Sequence, residues 1–347
     1  MPAMDQVAPF LDQMEESGIY SNFGPLVQRL EAEYASRFNV GLEQVVSVSS
    51  ATLGLEGAIR TTGVATWMVP DFTFPATGLA VLGAGRELVL VDVDEQTWEL
   101  PDSIVSDVGS EIGAIAVMAF GAPIDLNRWH GTQTLIIDAA ASLGSSNLDL
   151  ASLPNSWSVV FSLHATKVLP AGEGGIVIFG DAERARLFRA WSNFGFRGER
   201  VSTINGTNAK MSEIHAAYGL ASLRDWEREK REWLEPLKHA RIISQQLNLR
   251  MSRQDQSGVH PYWVVNFGNA DRAQAITRAL DFENFGYRFW WPSLHTMPAF
   301  RGISQHGDLQ TSRSLSASVL GLPMYRGLAT SHLNQLAEIL NSELGMR

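Results

Sequence analysis

Phe161-Ser162-Leu163-His164-Ala165-Thr166-Lys167 is followed by Ala171-Gly172-Glu173-Gly174-Gly175 and then by Ile176-Val177-Ile178-Phe179. An apolar strand runs out into a lysine, a glycine-rich return follows, and a second apolar strand begins. Lysine is scarce here, limited to Lys167, Lys210, Lys230 and Lys238, and arginine supplies most of the positive charge. A lysine at a strand end, beside small and hydroxyl residues, is placed to hold its amine against an aldehyde, as a Schiff-base lysine must.

Similar apolar runs recur on both sides of this block. Val45-Val46-Ser47-Val48, Thr66-Trp67-Met68-Val69, Leu88-Val89-Leu90-Val91, Ala114-Ile115-Ala116-Val117, Thr134-Leu135-Ile136-Ile137 and Ser158-Val159-Val160-Phe161 predict strands separated by helical stretches. Their near-continuous apolar character suits a parallel sheet covered on both faces. The spacing around residues 8–14 and 25–34 predicts helices, with the turn-rich Gly18-Ile19-Tyr20-Ser21-Asn22-Phe23-Gly24 between them. A long helix is expected from Ser212 to about Leu247, bridging to a smaller α/β unit. That unit would hold strands at Trp263–Phe267 and Tyr287–Trp291 and a last helix from Ser331 to Leu344.

Composition bounds the function. The 347 residues carry 45% hydrophobic and 18% charged side chains, enough for a sizeable core. A net charge of -10 without a basic run argues against general nucleic-acid binding. With no cysteine, disulfides and thiolate metal sites are excluded. The N-terminus has no basic segment leading into an apolar core, and no run is long enough to span a membrane. A cytoplasmic, soluble protein is expected.

Four segments end strands with residues suited to a phosphorylated aromatic ligand. Ser49-Ser50-Ala51-Thr52 opens a helix whose N–H groups can meet an anion, although those residues taken alone read more readily as an ordinary capped helix. Phe74 can stack on a flat ring or serve the core. Asp138 ends an apolar strand and is followed by small residues; it either meets a cationic ring nitrogen or caps the next helix. Ser162 and Lys167 form the fourth segment. Ligands of open α/β sheets bind beyond the carboxyl ends of the strands, and these segments share that placement.

Taken in order, these segments resemble the DegT/StrS group of pyridoxal-phosphate enzymes, the sugar aminotransferases of fold type I. The likeness runs nearly end to end. It includes Gly18 to Pro25, Ser50-Ala51-Thr52, Pro70-Asp71-Phe72-Thr73-Phe74, Val91-Asp92-Val93-Asp94 and Asp138-Ala139-Ala140. The Lys167 block with Gly172-Glu173-Gly174-Gly175 is its most specific part. Gly206 to Glu213, Leu294-His295 and Leu322-Pro323-Met324-Tyr325 complete it.

The resemblance implies a large α/β/α domain with a mostly parallel sheet over residues 1–238, which binds pyridoxal 5'-phosphate. A smaller C-terminal α/β domain over 239–347 follows. Lys167 would form the Schiff base and carry the proton, Asp138 would bind the pyridine nitrogen and Phe74 would stack on the ring. Ala51, Thr52 and Ser162 would hold the phosphate. Lys210 would reach the phosphate in a partner subunit, which implies a homodimer with shared sites. The implied reaction moves an amino group from L-glutamate to a keto group of a nucleotide-linked deoxysugar, dTDP-linked by expectation. Arg288, Trp290, Trp291 and His295 are candidate walls for the acceptor, though each Trp reads as well as core.

Two positions depart from the family. Ala141 stands where Gln or His is usual, and Met118 where His is common. Both changes motivate an alternative: a catalytically silent or regulatory member that binds sugar nucleotide without turnover. A nicotinamide-dependent dehydrogenase ranks last, because Ser49-Ser50-Ala51-Thr52 lacks the glycines of a dinucleotide turn. The family's dehydratases carry His in place of the lysine, so Lys167 favours the aminotransferase.

Overall fold

The computed structural model describes every residue except 110, 130, 132–133, 146–147, 149, 252–257 and 346–347. The apolar runs form β1 (Val45–Val48), β2 (Thr66–Pro70), β3 (Glu87–Val91), β4 (Ile112–Val117), β5 (Leu135–Asp138), β6 (Trp157–Ser162) and β7 (Gly175–Phe179). The first helices are α1 (Met4–Ser17), α2 (Pro25–Phe38), α3 (Ala51–Arg60), α4 (Pro75–Gly83), the short α5 (Asp102–Val105) and α6 (Ala182–Trp191). Then come α7 (Glu213–Arg224), α8 (Trp226–Gln246), β8 (Arg250–Met251), β9 (Trp263–Asn266) and α9 (Ala270–Phe282). β10 (Arg288–Phe289), β11 (Ser304–His306), α10 (Gln310–Ser318), β12 (Val319–Leu322) and α11 (Thr330–Leu344) close the chain.

The large sheet has the order β1-β7-β6-β5-β4-β2-β3-β11. Only β7 runs against its neighbours, β1 and β6; every other pair is parallel. Strand residues alternate between two cores, as their period of two requires. Ile137, Phe161, Ile176 and Ile178 pack with α1, α2 and α7. Ile136, Val160 and Val177 pack with α3, α4 and α6. The result is a three-layer α/β/α unit of fold type I. A second, antiparallel sheet, β10-β12-β9-β8, shares a third core with α8, α9 and α11.

Two sequence expectations change, the helix over 212–247 and the strand over 287–291. The single helix expected over residues 212–247 is two helices, broken at Asp225. The Asp225 carboxylate accepts a hydrogen bond from Gln6 of α1, and its carbonyl starts α8 by accepting from Arg228 and Glu229. The strand expected over 287–291 stops at Phe289, and Trp290 and Trp291 leave it to pack against Phe120. β11 then crosses back and adds a parallel edge strand beside β3. The division expected at 238/239 falls within α8, which sends Leu237 into the first core and Ala240 and Ile243 into the third. No helix among the described residues is long and apolar enough to cross a membrane.

Candidate active site

Asp138 is the last residue of β5 and is 6% exposed. Its Oδ2 accepts from Thr77 Oγ1 at 2.8 Å and its Oδ1 from the Ala140 amide at 3.2 Å. Thr77 is in turn 3.1 Å from the Thr73 hydroxyl, and all three side chains are buried. Pro75 opens α4 where its missing N–H costs nothing, and this places Thr77 in the helix's first turn, under the carboxylate. Burial pushes the Asp138 carboxyl above its ordinary value, while the Thr77 and Ala140 bonds and the Lys167 charge pull the other way. A second positive charge is therefore welcome at this carboxylate. Asp138 caps no long helix here.

Lys167 lies beyond the end of β6 in a loop held by its own backbone. Leu163 and Ala165 donate to Gly174 and Gly172, Ala171 donates to Leu163, and Lys167 donates to His164. Gly172 (φ 87°) and Gly174 (φ 151°) take conformations that side chains resist, which explains the glycine-rich return. Lys167 Nζ donates to Tyr262 Oη at 2.9 Å. Asp138 ends β5 and Lys167 follows the neighbouring strand β6, and the lysine charge acts on the acid. His164 is partly exposed and spends Nδ1 on Thr166 Oγ1, 2.9 Å away.

A candidate anion cradle follows from the sheet register. Ser162 pairs with Gly175, and a Cβ on Gly175 would fall 2.9 Å from the Ala51 nitrogen. Glycine lets the ends of β6 and β7 close on the N-terminus of α3. Ser50 caps that helix by accepting from Leu53, and the first-turn residues Ala51 and Thr52 follow. First-turn N–H groups lack intrahelical acceptors and favour an anion. Ala209 accepts from the Ser49 amide at 2.8 Å, which brings the Lys210 segment to the same strand end. Lys210 itself donates to Asn208 at 2.7 Å and lies 4.4 Å from the Phe194 ring centre; partial burial lowers its pKa.

Phe74 caps α4 and is 57% exposed, with its ring 6.5 Å from that of Trp291. Trp291 stacks on Phe120 at 4.4 Å and 7°. Arg288 lies over the Trp290 ring. His295, expected to face an acceptor, is instead turned inward. Its Nδ1 is 2.6 Å from the buried Asp71 carboxylate, and its Nε2 accepts from Arg313. Asp71 is also pushed up by burial, with the His295 bonds opposing. This pair ties the C-terminal segment to the end of β2, so His295 anchors the aromatic wall. Met118 is buried at the end of β4, and Ala141 follows Asp138 on the loop.

Sequence reading missed Thr77 and Tyr262. Thr77 carries a faint signal, four residues after Thr73 at a helix start. Tyr262 has none, because its partner is 95 residues away.

These residues fit pyridoxal phosphate. The buried Asp138 matches a ring nitrogen that carries a proton, the amine of Lys167 matches an aldehyde, and the α3 N-terminus beside Ser162 matches a phosphate. A fold type I sheet with such a site defines a class of pyridoxal-phosphate-dependent enzymes. The comparisons with known proteins narrow the class. The family model for the DegT/DnrJ/EryC1/StrS aminotransferase family matches residues 5–341, and the chain belongs to that family. It is 25% identical over 370 aligned positions to the dTDP-4-amino-4,6-dideoxy-D-glucose transaminase of Shigella dysenteriae, covering 98% of this chain and 96% of that one. A Bacillus cereus ATCC 10987 protein assigned as a PLP-dependent aminotransferase superposes with a TM-score of 0.90 at 25% identity, over 98% and 97% of the two chains. DesI, solved in the presence of its TDP-sugar product, gives 0.85 at 28% identity, over 100% and 91%.

Proposed function

We propose that this protein transfers an amino group from L-glutamate to a keto group of a nucleotide-linked deoxysugar, dTDP-linked by preference. The observation that supports the chemistry is the placement of the buried Asp138 at the end of β5 and of Lys167 just beyond the neighbouring β6, with the lysine charge acting on the acid. The sugar-nucleotide reading is supported by the Shigella dysenteriae transaminase and by DesI with its TDP-sugar product.

Bound at this site, pyridoxal phosphate supplies an aldehyde for amines and a ring that withdraws electrons. The side chains do the rest. Asp138 holds its charge against the ring nitrogen, and Thr77 keeps that carboxylate oriented. Lys167 Nζ would hold the aldehyde and would carry the proton in both halves of the exchange. Ala51, Thr52 and Ser162 would hold the phosphate, and Phe74 would stack on the ring. Lys210 completes the site of a partner subunit in a cytoplasmic homodimer. The product would feed deoxysugar or surface-polysaccharide assembly.

The test is direct. Pyridoxal phosphate added to the protein should raise a visible absorption band that Lys167→Ala lacks. Glutamate should discharge the band, and mass spectrometry with a panel of keto-sugar nucleotides should then identify the aminated product. No band in the wild type would sink the reading. A band that glutamate never alters would favour the silent member motivated by Ala141 and Met118.

A further inference from the structure

Lys167 Nζ and Tyr262 Oη are 2.9 Å apart, and the two residues come from different sheets. Lys167 follows β6 of the large sheet, while Tyr262 immediately precedes β9 of the small one. The amine that the proposed reaction depends on is therefore held from the C-terminal part of the chain.

The phenol is held rigidly enough to do this. Its ring meets Phe120 edge-on with centres 5.9 Å apart, and Trp290 at 5.2 Å and 87°. Phe120 is buried in a left-handed conformation (φ 55°), a costly backbone state that only firm surroundings maintain. Trp291 stacks on the same Phe120. A hydroxyl on a ring clamped by aromatic edges has little freedom, whereas a lysine stem has several free torsions. The phenol thus fixes the amine more than the amine fixes the phenol.

We infer that Tyr262 is a positioning residue for Lys167: its hydroxyl sets where the amine points and accompanies it through both protonation states. A phenol accepts from an ammonium and can donate to a free amine, so the contact survives when the lysine gains or loses its proton. Because the ring also belongs to the aromatic wall, a change in that wall reaches the lysine through one side chain. This inference rests on the reading of Lys167 as the Schiff-base lysine.

The test uses covalent trapping, which is independent of turnover. Full-length protein is mixed with pyridoxal phosphate and reduced with borohydride at intervals. Peptide mass spectrometry then follows pyridoxyl-Lys167 over time and across pH. Tyr262→Phe keeps the ring and its packing but loses the hydroxyl. It should trap about tenfold more slowly, the size expected for one hydrogen bond to a charged group, and its pH profile should be displaced from that of the wild type. Tyr262→Leu, which also loses the ring, should trap no faster than Tyr262→Phe. A wild type that traps while Tyr262→Phe matches it in rate and pH profile overturns the positioning role alone. A wild type without adduct at residue 167 overturns this inference together with the proposed function.

Discussion

Thr77→Val tests how the site holds its acid. Valine keeps the shape of threonine and leaves the backbone bond from Thr77 to Phe74 intact, so α4 should form unchanged. What disappears is the 2.8 Å donor to Asp138 Oδ2, together with the 3.1 Å contact to the Thr73 hydroxyl. A hydrogen bond to a charged group contributes about 1.5–3 kcal/mol. That bond favours the ionised carboxylate, and burial already works against ionisation there. Losing it should weaken pyridoxal phosphate binding by about tenfold or more. Titrating cofactor-free protein with pyridoxal phosphate, by absorbance or tryptophan quenching, measures the loss. Asp138→Asn and the double variant close a thermodynamic cycle. If the threonine acts through the acid, Thr77→Val should cost much less in the Asp138→Asn background. Equal losses in both backgrounds, or no loss in the first, would refute the reasoning.

Other perturbations read the scaffold and the charge. The buried Glu213 carboxylate accepts from the Leu26 and Val27 amides at 2.7 and 3.1 Å, capping α2 from α7. Glu213→Ala should lower stability by about 2–4 kcal/mol, since two buried donors lose a charged acceptor, and urea unfolding midpoints will show it. Asp138, raised in the folded protein, keeps its proton to higher pH there than in the unfolded chain. Its contribution to stability therefore falls as pH climbs from the ordinary carboxylate value through the raised one. In cofactor-free protein, the unfolding temperature of Asp138→Asn should gain on the wild type as pH rises through that window and then hold level. A gap independent of pH would contradict the burial argument.

Local pattern alone determined much of this protein. The strand runs, with a period of two and both faces apolar, specify a buried parallel sheet because only such a sheet hides them. Lys167 was legible because lysine is rare here and because Gly172 and Gly174 mark a backbone turn that other residues resist. Asp138 stood out as an acid closing an apolar strand. Tertiary structure alone decided the partners of these groups. The Tyr262 hydroxyl at Lys167, the Asp71–His295 pair across 224 residues and the return of β11 to the first sheet leave no local trace. Asp225, where the helix breaks, accepts from Gln6, far earlier in the chain. Periodicity reports which face of an element is buried, because that preference is local. Which two faces meet depends on shape and on the pairing of buried polar groups, and these exist only once the chain has folded.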